Sequence, residues 1–313
     1  MVITLVSHVI RTNSKNRKKS GEITMVMDKK NKWIPYLFIL PALVGLLLFK
    51  IYPIISSIIQ SMQELNFLDQ TLNFVWFDNY VALFNDPVFW NSLKVTLWFN
   101  LIIIPLQVIL AFGLALLLNS GIKHIGFFRG INFIPVAVSV PTAAILWNIM
   151  LSPEQGVVNS ILVVFGLDPQ PFLHSSSQAL FSIIVIASWK GVGYWALFLL
   201  AGLQEVSPSL YEASDIDGAS KWKKFISITY PMMKRPLTFV VVSLTVANMV
   251  LFAPMYMLTD GGPSQSTNVL MLESYNSAFQ YSDMGRATAI VVIMILITTI
   301  IIAIEFRLLR ADH

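Results

Sequence analysis

The chain contains no cysteine, which removes disulfides and thiolate metal centres from consideration. Charge is scarce too. Asp, Glu, Lys and Arg make up 12% of the 313 residues, against 56% hydrophobic, and an ordinary soluble domain carries roughly 25% charged residues. The four histidines, His8, His124, His174 and His313, are scattered without ligand-like spacing, so no histidine metal site is expected. No Gly-Lys dipeptide occurs, hence no G-x-x-x-x-G-K-[ST] phosphate loop, and the chain does not read as a nucleotide hydrolase. No catalytic residues are assigned, because histidines and acids nowhere gather as nucleophile, base or metal ligands. The net charge of +4 is not read as nucleic-acid binding. In so apolar a chain the question is where the basic residues fall.

What the sequence has in abundance is long apolar runs. Six stand out, at roughly 33–55, 94–118, 130–151, 179–201, 237–258 and 287–306. Each is close to the ~20 residues that a bilayer-crossing helix needs. The expected architecture is therefore an all-α membrane protein of six transmembrane helices. Residues 1–32 read as a basic cytoplasmic arm near anionic lipid, ahead of a six-span domain over 33–313. The opening MVITLVSHVI is short and runs into a basic block rather than a small-residue cleavage site, so it does not read as a signal peptide. Met25 or Met27 is an alternative start.

Orientation follows from the basic residues. The arm holds Arg11, Lys15, Arg17, Lys18, Lys19, Lys29, Lys30 and Lys32. Lys123 and Arg129 follow the second run, Lys221, Lys223, Lys224, Lys234 and Arg235 follow the fourth, and Arg307 and Arg310 follow the sixth. The opposite loops hold Arg286 against nine acids: Glu64, Asp69, Asp78, Asp86, Glu154, Asp168, Asp260, Glu273 and Asp283. The positive-inside rule places both termini and the loop after the fourth run in the cytoplasm. Pro41, Pro53, Pro105, Pro135, Pro141 and Pro254 lie in or beside the first five runs, either kinking helices for packing or shaping a cavity. The sixth run has neither proline nor mid-span charge and reads as peripheral.

A few polar groups lie inside the runs. Lys190, in ASWKGVGYW, is the most costly at roughly 2.5–3.5 kcal/mol for a charge at mid-membrane. It must face protein or water: binding substrate, pairing with a partner's acid, or sitting where a broken helix admits water, with Gly191 and Gly193 favouring the last two. Trp147, Asn148, Asn248, Tyr194 and Tyr256 complete a candidate solute path. Each amide serves equally as an interhelical hydrogen bond.

The charged stretch YEASDIDGASKWKKFISITYPMMKRP, Tyr211 to Pro236, interrupts the apolar pattern. Ser209 and Glu212 have the spacing of a capping box, so a short helix is expected to run to Asp217 and turn at Gly218. A second amphipathic helix should carry Trp222, Phe225, Ile226 and Thr229 on one face and end at Pro231 and Pro236. From the residues alone, an interfacial anchor explains this loop as well as a docking element does.

Within it, EASDIDGASKWKKFISITYP resembles the E-A-A-x-x-D-G-A…I-x-L-P signature of binding-protein-dependent ABC transporter permeases. Glu212, Ala213, Asp217, Gly218, Ala219, Ile228 and Pro231 match, while Ser214 and Tyr230 replace the usual alanine and leucine. WFDNYVALFNDPVFWNSLKVTL, FFRGINFIPVAVS, WKGVGYW and LTDGGPSQSTNVL resemble the carbohydrate-uptake branch, the maltose- and glycerol-phosphate-type permeases. Gly261 to Pro263 is similar to a marker of one of that branch's two permease partners. The resemblance implies a subunit of an ATP-driven importer in a bacterial or archaeal cell membrane, with a coupling loop over 202–236. The implied partners are a second six-span permease, two cytoplasmic ATPase subunits that hold the ATP and Mg, and an extracytoplasmic solute-binding protein. This chain itself would hold no cofactor. A sugar, oligosaccharide or polyol is favoured over glycerol phosphate, since the outer loops are acidic and Lys190 is the one phosphate-suited charge. The rival reading is a stand-alone secondary carrier or channel. It predicts an inverted repeat, and the halves show no convincing one.

Overall fold

The computed structural model describes residues 34–66, 71–120 and 125–309, so the basic arm lies outside the described residues. The chain divides into two compact units after Ile54. The first consists of α1 (Ile34–Leu46), a π-helical turn (Leu47–Ile51) and the start of α2 (Tyr52–Gln60). Its surface is apolar all round, with Leu37, Phe38 and Phe49 exposed. Such a helix is stable against lipid or another helix, not against water.

The second unit opens with a departure from the all-α expectation. A hairpin pairs β1 (Gln63–Asn66) antiparallel with β2 (Thr71–Phe74), Leu65 opposite Leu72. The hydropathy of the apolar runs carries no trace of it, because its residues lie between them. Helices α3 (Asp78–Phe84) and α4 (Pro87–Asn119) follow, with the Asp86 side chain capping α4 by accepting from the Val88 amide at 2.8 Å. Pro87 sits in the first turn of α4, where its missing N–H leaves nothing unsatisfied. Next come α5 (Ile125–Ala137), α6 (Val140–Met150), α7 (Val157–Val164) and α8 (Ala179–Glu205). The charged loop forms α9 (Pro208–Ile216) and α10 (Lys221–Lys224). A π-helical turn (Phe225–Thr229) leads into α11 (Tyr230–Met249), then α12 (Ala253–Thr259), α13 (Leu270–Phe279) and α14 (Met284–Leu309).

Among the described residues, four continuous helices are long and apolar enough to cross a membrane: 36–60, 87–119, 179–205 and 284–309. The third and fifth apolar runs are each broken. Residues 126–137 and 140–150 meet at 96°, and residues 221–249 and 253–259 at 45°. Proline explains both restarts. Pro141 and Pro254 occupy the first turns of α6 and α12, and a proline biases the residue before it away from helix.

Helices α4, α8 and α11 form the centre. One apolar cluster joins Phe99 and Ile103 of α4 to Ile183 and Ile184 of α8. A second joins Ala111 and Ala115 to Leu199, Leu203, Met233 and Leu244. A third packs Phe89, Met249 and Leu270 on Ala289 and Ile290 of α14. Small residues at these contacts let apolar helices approach closely, which is how packing substitutes for the hydrophobic effect in lipid. The tightest approach is α5 on α8, where a Cβ on Gly193 would stand 2.1 Å from the Asn132 carbonyl oxygen. Gly193→Ala should therefore lower the melting temperature in detergent, by an overpacking cost of about 1–3 kcal/mol. Gly113→Ala, on an open face of α4, is the control. It should be neutral or stabilising by up to about 1 kcal/mol.

Candidate functional site

Two places concentrate polar chemistry on the apolar frame. The first is the charged loop. Helix α9 begins two residues earlier than the capping box implies: Ser207 is the N-cap residue, Pro208 starts the helix, and Ser209 is already inside. The Ser207 and Ser209 hydroxyls bond each other at 2.8 Å, so the capping box does not form. The turn at Gly218 does form, with φ at +69°, where a Cβ is strained. Ser220 then caps α10, its hydroxyl accepting from the Lys223 amide at 3.3 Å.

Pro231 and Pro236 do not end the second helix. Residues 221–249 run on as one helix from the turn into the fifth apolar run. The π-helical turn at Phe225–Thr229 sets up the register in which Pro231 needs no hydrogen bond, and Pro236 is carried inside α11. Within residues 202–236, Gly202 to Glu205 complete α8, α9 follows, and helix resumes after the turn at Lys221.

Cross-braces hold the loop rigid. The Tyr211 and Thr229 hydroxyls bond at 3.0 Å, and Lys224 pairs with Asp215. Glu212, Ala213, Asp217 and Gly218 are exposed on the outer side of the bend, as is Pro231, while Ala219 and Ile228 are half-buried. Glu212 and Asp217 form no ion pair among the described residues. Beside them Ile216 is 88% exposed and Trp222 69%. Acids and exposed apolar side chains thus lie together on one braced turn.

The second place is the break between α5 and α6. The Lys190 ammonium donates to the Val138 carbonyl at 2.7 Å and lies 3.4 Å from those of Pro135 and Val136. These are carbonyls that the end of α5 leaves without helical partners, and a cation there also complements the helix dipole. On the other side of the break, Ser139 caps α6 by accepting from the Thr142 amide at 3.2 Å. Gly191 and Gly193 do not break the helix around Lys190, which runs on from Ala179 to Glu205; the break that Lys190 meets lies in the neighbouring run.

The six residues of the candidate path do not converge on one cavity. The Asn248 amide donates to Gln107 Oε1 at 3.1 Å, and Gln107 in turn donates to the Ala187 carbonyl at 3.3 Å, tying α11, α4 and α8 together. Trp147 meets Trp189 edge to face at 5.5 Å and borders a cavity of about 560 Å³ with Phe172 and Gln178. Asn148 is exposed. Tyr194 is exposed beside Trp195 and Phe198, and Tyr256 contacts Tyr275 at 5.3 Å. Gln107 went unnoticed in the sequence, although an amide inside LIIIPLQVIL was signal enough. In the sequence Arg286, Asp86 and Glu273 read only as loop charge, since nothing local says that Asp86 meets two residues so much further along the chain.

Residues 32–311 match the family described as "Binding-protein-dependent transport system inner membrane component". The chain belongs to this family. It is thus an inner-membrane permease component, and the family is not one of ATPases. The permease is 35% identical to the probable ABC transporter permease protein YurN of Bacillus subtilis, over 91% of this chain and 98% of the relative. It is 34% identical to the arabinooligosaccharides transport system permease protein AraP of the same organism, over 93% and 92%. Among solved structures, a bacterial ABC transporter that imports the acidic polysaccharide alginate matches with a TM-score of 0.78 at 25% identity, over 90% of this chain and 96% of that one. A bacterial alginate ABC transporter in complex with alginate pentasaccharide-bound periplasmic protein matches in fold with a TM-score of 0.78 at 24% identity, over 90% of this chain and 95% of that one.

Lys190→Met should cost about 1–3 kcal/mol by stranding the carbonyls at the end of α5. The expected readout is a lower melting temperature of the purified permease. An unchanged value would mean that water alone satisfies them.

Proposed function

We propose that this permease is one of two membrane subunits lining the path of an ATP-driven importer for a sugar, oligosaccharide or polyol. The solute arrives on an extracytoplasmic binding protein, and ATP with Mg is held by two separate cytoplasmic ATPase subunits. Six passes, two of them broken, would leave both termini and the 206–220 loop in the cytoplasm. The observation that carries this reading is the continuous helix from Lys221 to Met249. It links the exposed acidic turn directly to the central bundle, so a force applied at Gly218 moves a membrane segment. In this role Glu212, Ala213, Asp217, Gly218, Ala219, Ile228 and Pro231 form the ATPase-docking element. Nucleotide-driven closure of the ATPases then favours one of two permease conformations through contacts made only in that state.

The solute path is assigned to the exposed faces of Trp147, Asn148, Tyr194 and Tyr256, whose rings and amide suit the C–H faces and hydroxyls of a sugar. Lys190 and Asn248 hold the walls. The names of the relatives support a carbohydrate cargo, and the acidic outer loops weigh against an anionic one. A stand-alone carrier is disfavoured because the braced acidic turn would then serve nothing.

The deciding experiment is a mild-detergent pull-down of the tagged chain from its native membrane, which should recover an ATPase and a second permease. Recovery of the chain alone, with ATP-independent transport in liposomes, would overturn the reading. Glu212→Lys and Gly218→Pro should each cut uptake by roughly tenfold or more with insertion intact, through a lost charge contact and through proline's fixed negative φ. Because the chain has no cysteine, Asp217→Cys should react with an impermeant maleimide only from the cytoplasmic side, and Asp168→Cys only from outside.

A further inference from the structure

The segment after α6 is built inside out. Helix α7 turns its one amide inward. Asn159, 3% exposed, donates from Nδ2 to the carbonyls of Gln170 at 2.9 Å, Pro153 at 3.2 Å and Ser152 at 3.3 Å. Its Oδ1 accepts from the Gln170 amide at 2.8 Å. Gln178 extends this inner set, donating to Gln170 Oε1 at 2.8 Å and accepting from the Phe172 amide at 2.9 Å. The Ser160 hydroxyl is taken up by the Gly156 carbonyl at 3.1 Å. What faces outward is apolar: Val157, Ile161, Val163 and Leu167 are exposed, Phe165 by 77% and Val164 by 83%. No Asp, Glu, Lys or Arg lies between Glu154 and Asp168. A surface helix in water has the opposite pattern, with its apolar stripe on the core and its polar groups in solvent.

The contacts of α6 and α7 with α8 give their level in the membrane. Helix α8 ends beside the end of α4, where Leu199 and Leu203 pack with Ala115 and Leu118, so its start lies at the opposite face. Val138 and Trp147 are separated by about 13 Å of rise, if helical throughout. Yet they meet Lys190 and Trp189, adjacent residues of α8. Helix α6 therefore crosses α8 instead of climbing it, as the 96° bend requires. The chain leaves Met150 still beside the span. Helix α7 then rises only to the first turns of α8, where Val158 borders the 560 Å³ cavity with Phe181, Ser182 and Val185. Phe181 and Val185 are themselves more than half exposed. Their helix carries no charge from Ala179 to Trp189, so α7 lies alongside its apolar end and not above it.

We infer that α7 and the turn to Leu167 are seated in the bilayer, with Val164 and Phe165 among the acyl chains of the leaflet opposite the end of α4. In the importer reading this is the outer leaflet, but the seat does not depend on which side it faces. Phospholipid is the occupant because the exposed face continues that of Phe181 and Val185, carries no charge and offers no free amide. Glu154 and Asp168, both exposed, bracket it at headgroup level. An amphipathic helix lying in the interface sinks its apolar face roughly 5–10 Å into the headgroup and acyl boundary. The task of this one is positional. The third pass is broken at Val138 and has no straight helix to fix its far end; α7 holds that end at the boundary.

The test places nitroxide labels on Val164→Cys, Phe165→Cys and Asp168→Cys, one at a time, in a chain that has no other cysteine. The complex is used as recovered from the membrane, in vesicles of phosphatidylethanolamine and phosphatidylglycerol. Relaxation by dioxygen, which concentrates in hydrocarbon, is compared with relaxation by a water-soluble nickel chelate. At 164 and 165 oxygen should outweigh nickel, and at 168 nickel should outweigh oxygen. Nickel access at 164 and 165 equal to that at 168 would put α7 in water and overturn the seat. So would immobilised labels reached by neither agent, since protein would then cover the face. Labelling of Asp168→Cys by impermeant maleimide from the cytoplasm would overturn the topology of the importer reading instead, and leave the seat in the other leaflet.

Discussion

Inside hydrocarbon a backbone carbonyl without a partner has no water to turn to, so every interruption of a membrane helix must be closed by something else in the protein. In this permease the sharpest interruption, between α5 and α6, is closed by one ammonium group. Lys190 reaches the Val138 carbonyl from α8, 52 residues along the chain. The arrangement resolves two costs together: a charge that lipid would exclude, and helix-end carbonyls that lipid would strand. Gly193, a turn further along α8, allows the approach, because a Cβ there would collide with the Asn132 carbonyl. The two residues act as a pair, one admitting the backbone of α5 and the other holding its end.

Around that contact the amides act as fasteners. Gln107 lies between α4, α8 and α11, receiving from Asn248 and donating to Ala187. The hydroxyl of Thr96 accepts from the Leu270 amide at 2.8 Å and fixes the start of α13 against α4. The Thr245 hydroxyl donates to Glu305 at 2.6 Å, which ties the peripheral α14 back to α11. Such bonds each contribute modestly, about 0.6 kcal/mol on average in a membrane protein. They nevertheless set the rotation of helices whose apolar surfaces alone would accept many packings.

On this frame, rigidity and exposure are distributed unevenly. The turn at Gly218 is braced by Tyr211–Thr229 and Lys224–Asp215, yet Glu212, Asp217 and Ile216 stand exposed. The segment after α12 is braced by Thr259–Thr267 and Arg286–Glu273. Both are braced places that flank the α11–α12 segment along the chain. That segment is a helix through Met249, bent by 45° before Ala253. A rigid rod with a single joint transmits a displacement well, because packed elements shift between discrete arrangements instead of deforming smoothly.

The sequence by itself determined the class of protein. Six apolar runs, the basic bias of one set of loops and the Glu212–Pro231 signature are local or additive properties, readable without knowing what touches what. It also determined the turn at Gly218, since glycine acts on its own backbone, but it misplaced the break near Lys190: Gly191 and Gly193 leave α8 continuous, and the break falls in the neighbouring run. It misjudged the end of the second loop helix: Pro231 and Pro236 are strong stop signals locally, but a π-helical turn and packing on α8 carry the helix through them. It was silent on the hairpin, on Gln107, and on the meeting of Asp86 with Glu273 and Arg286, which lie more than half the chain away from it. Only the tertiary structure decided which carbonyls Lys190 satisfies and which acceptors remain empty. Hydrogen-bond partners in a helical bundle are chosen by helix rotation and crossing, and those are set jointly by all the contacts at once.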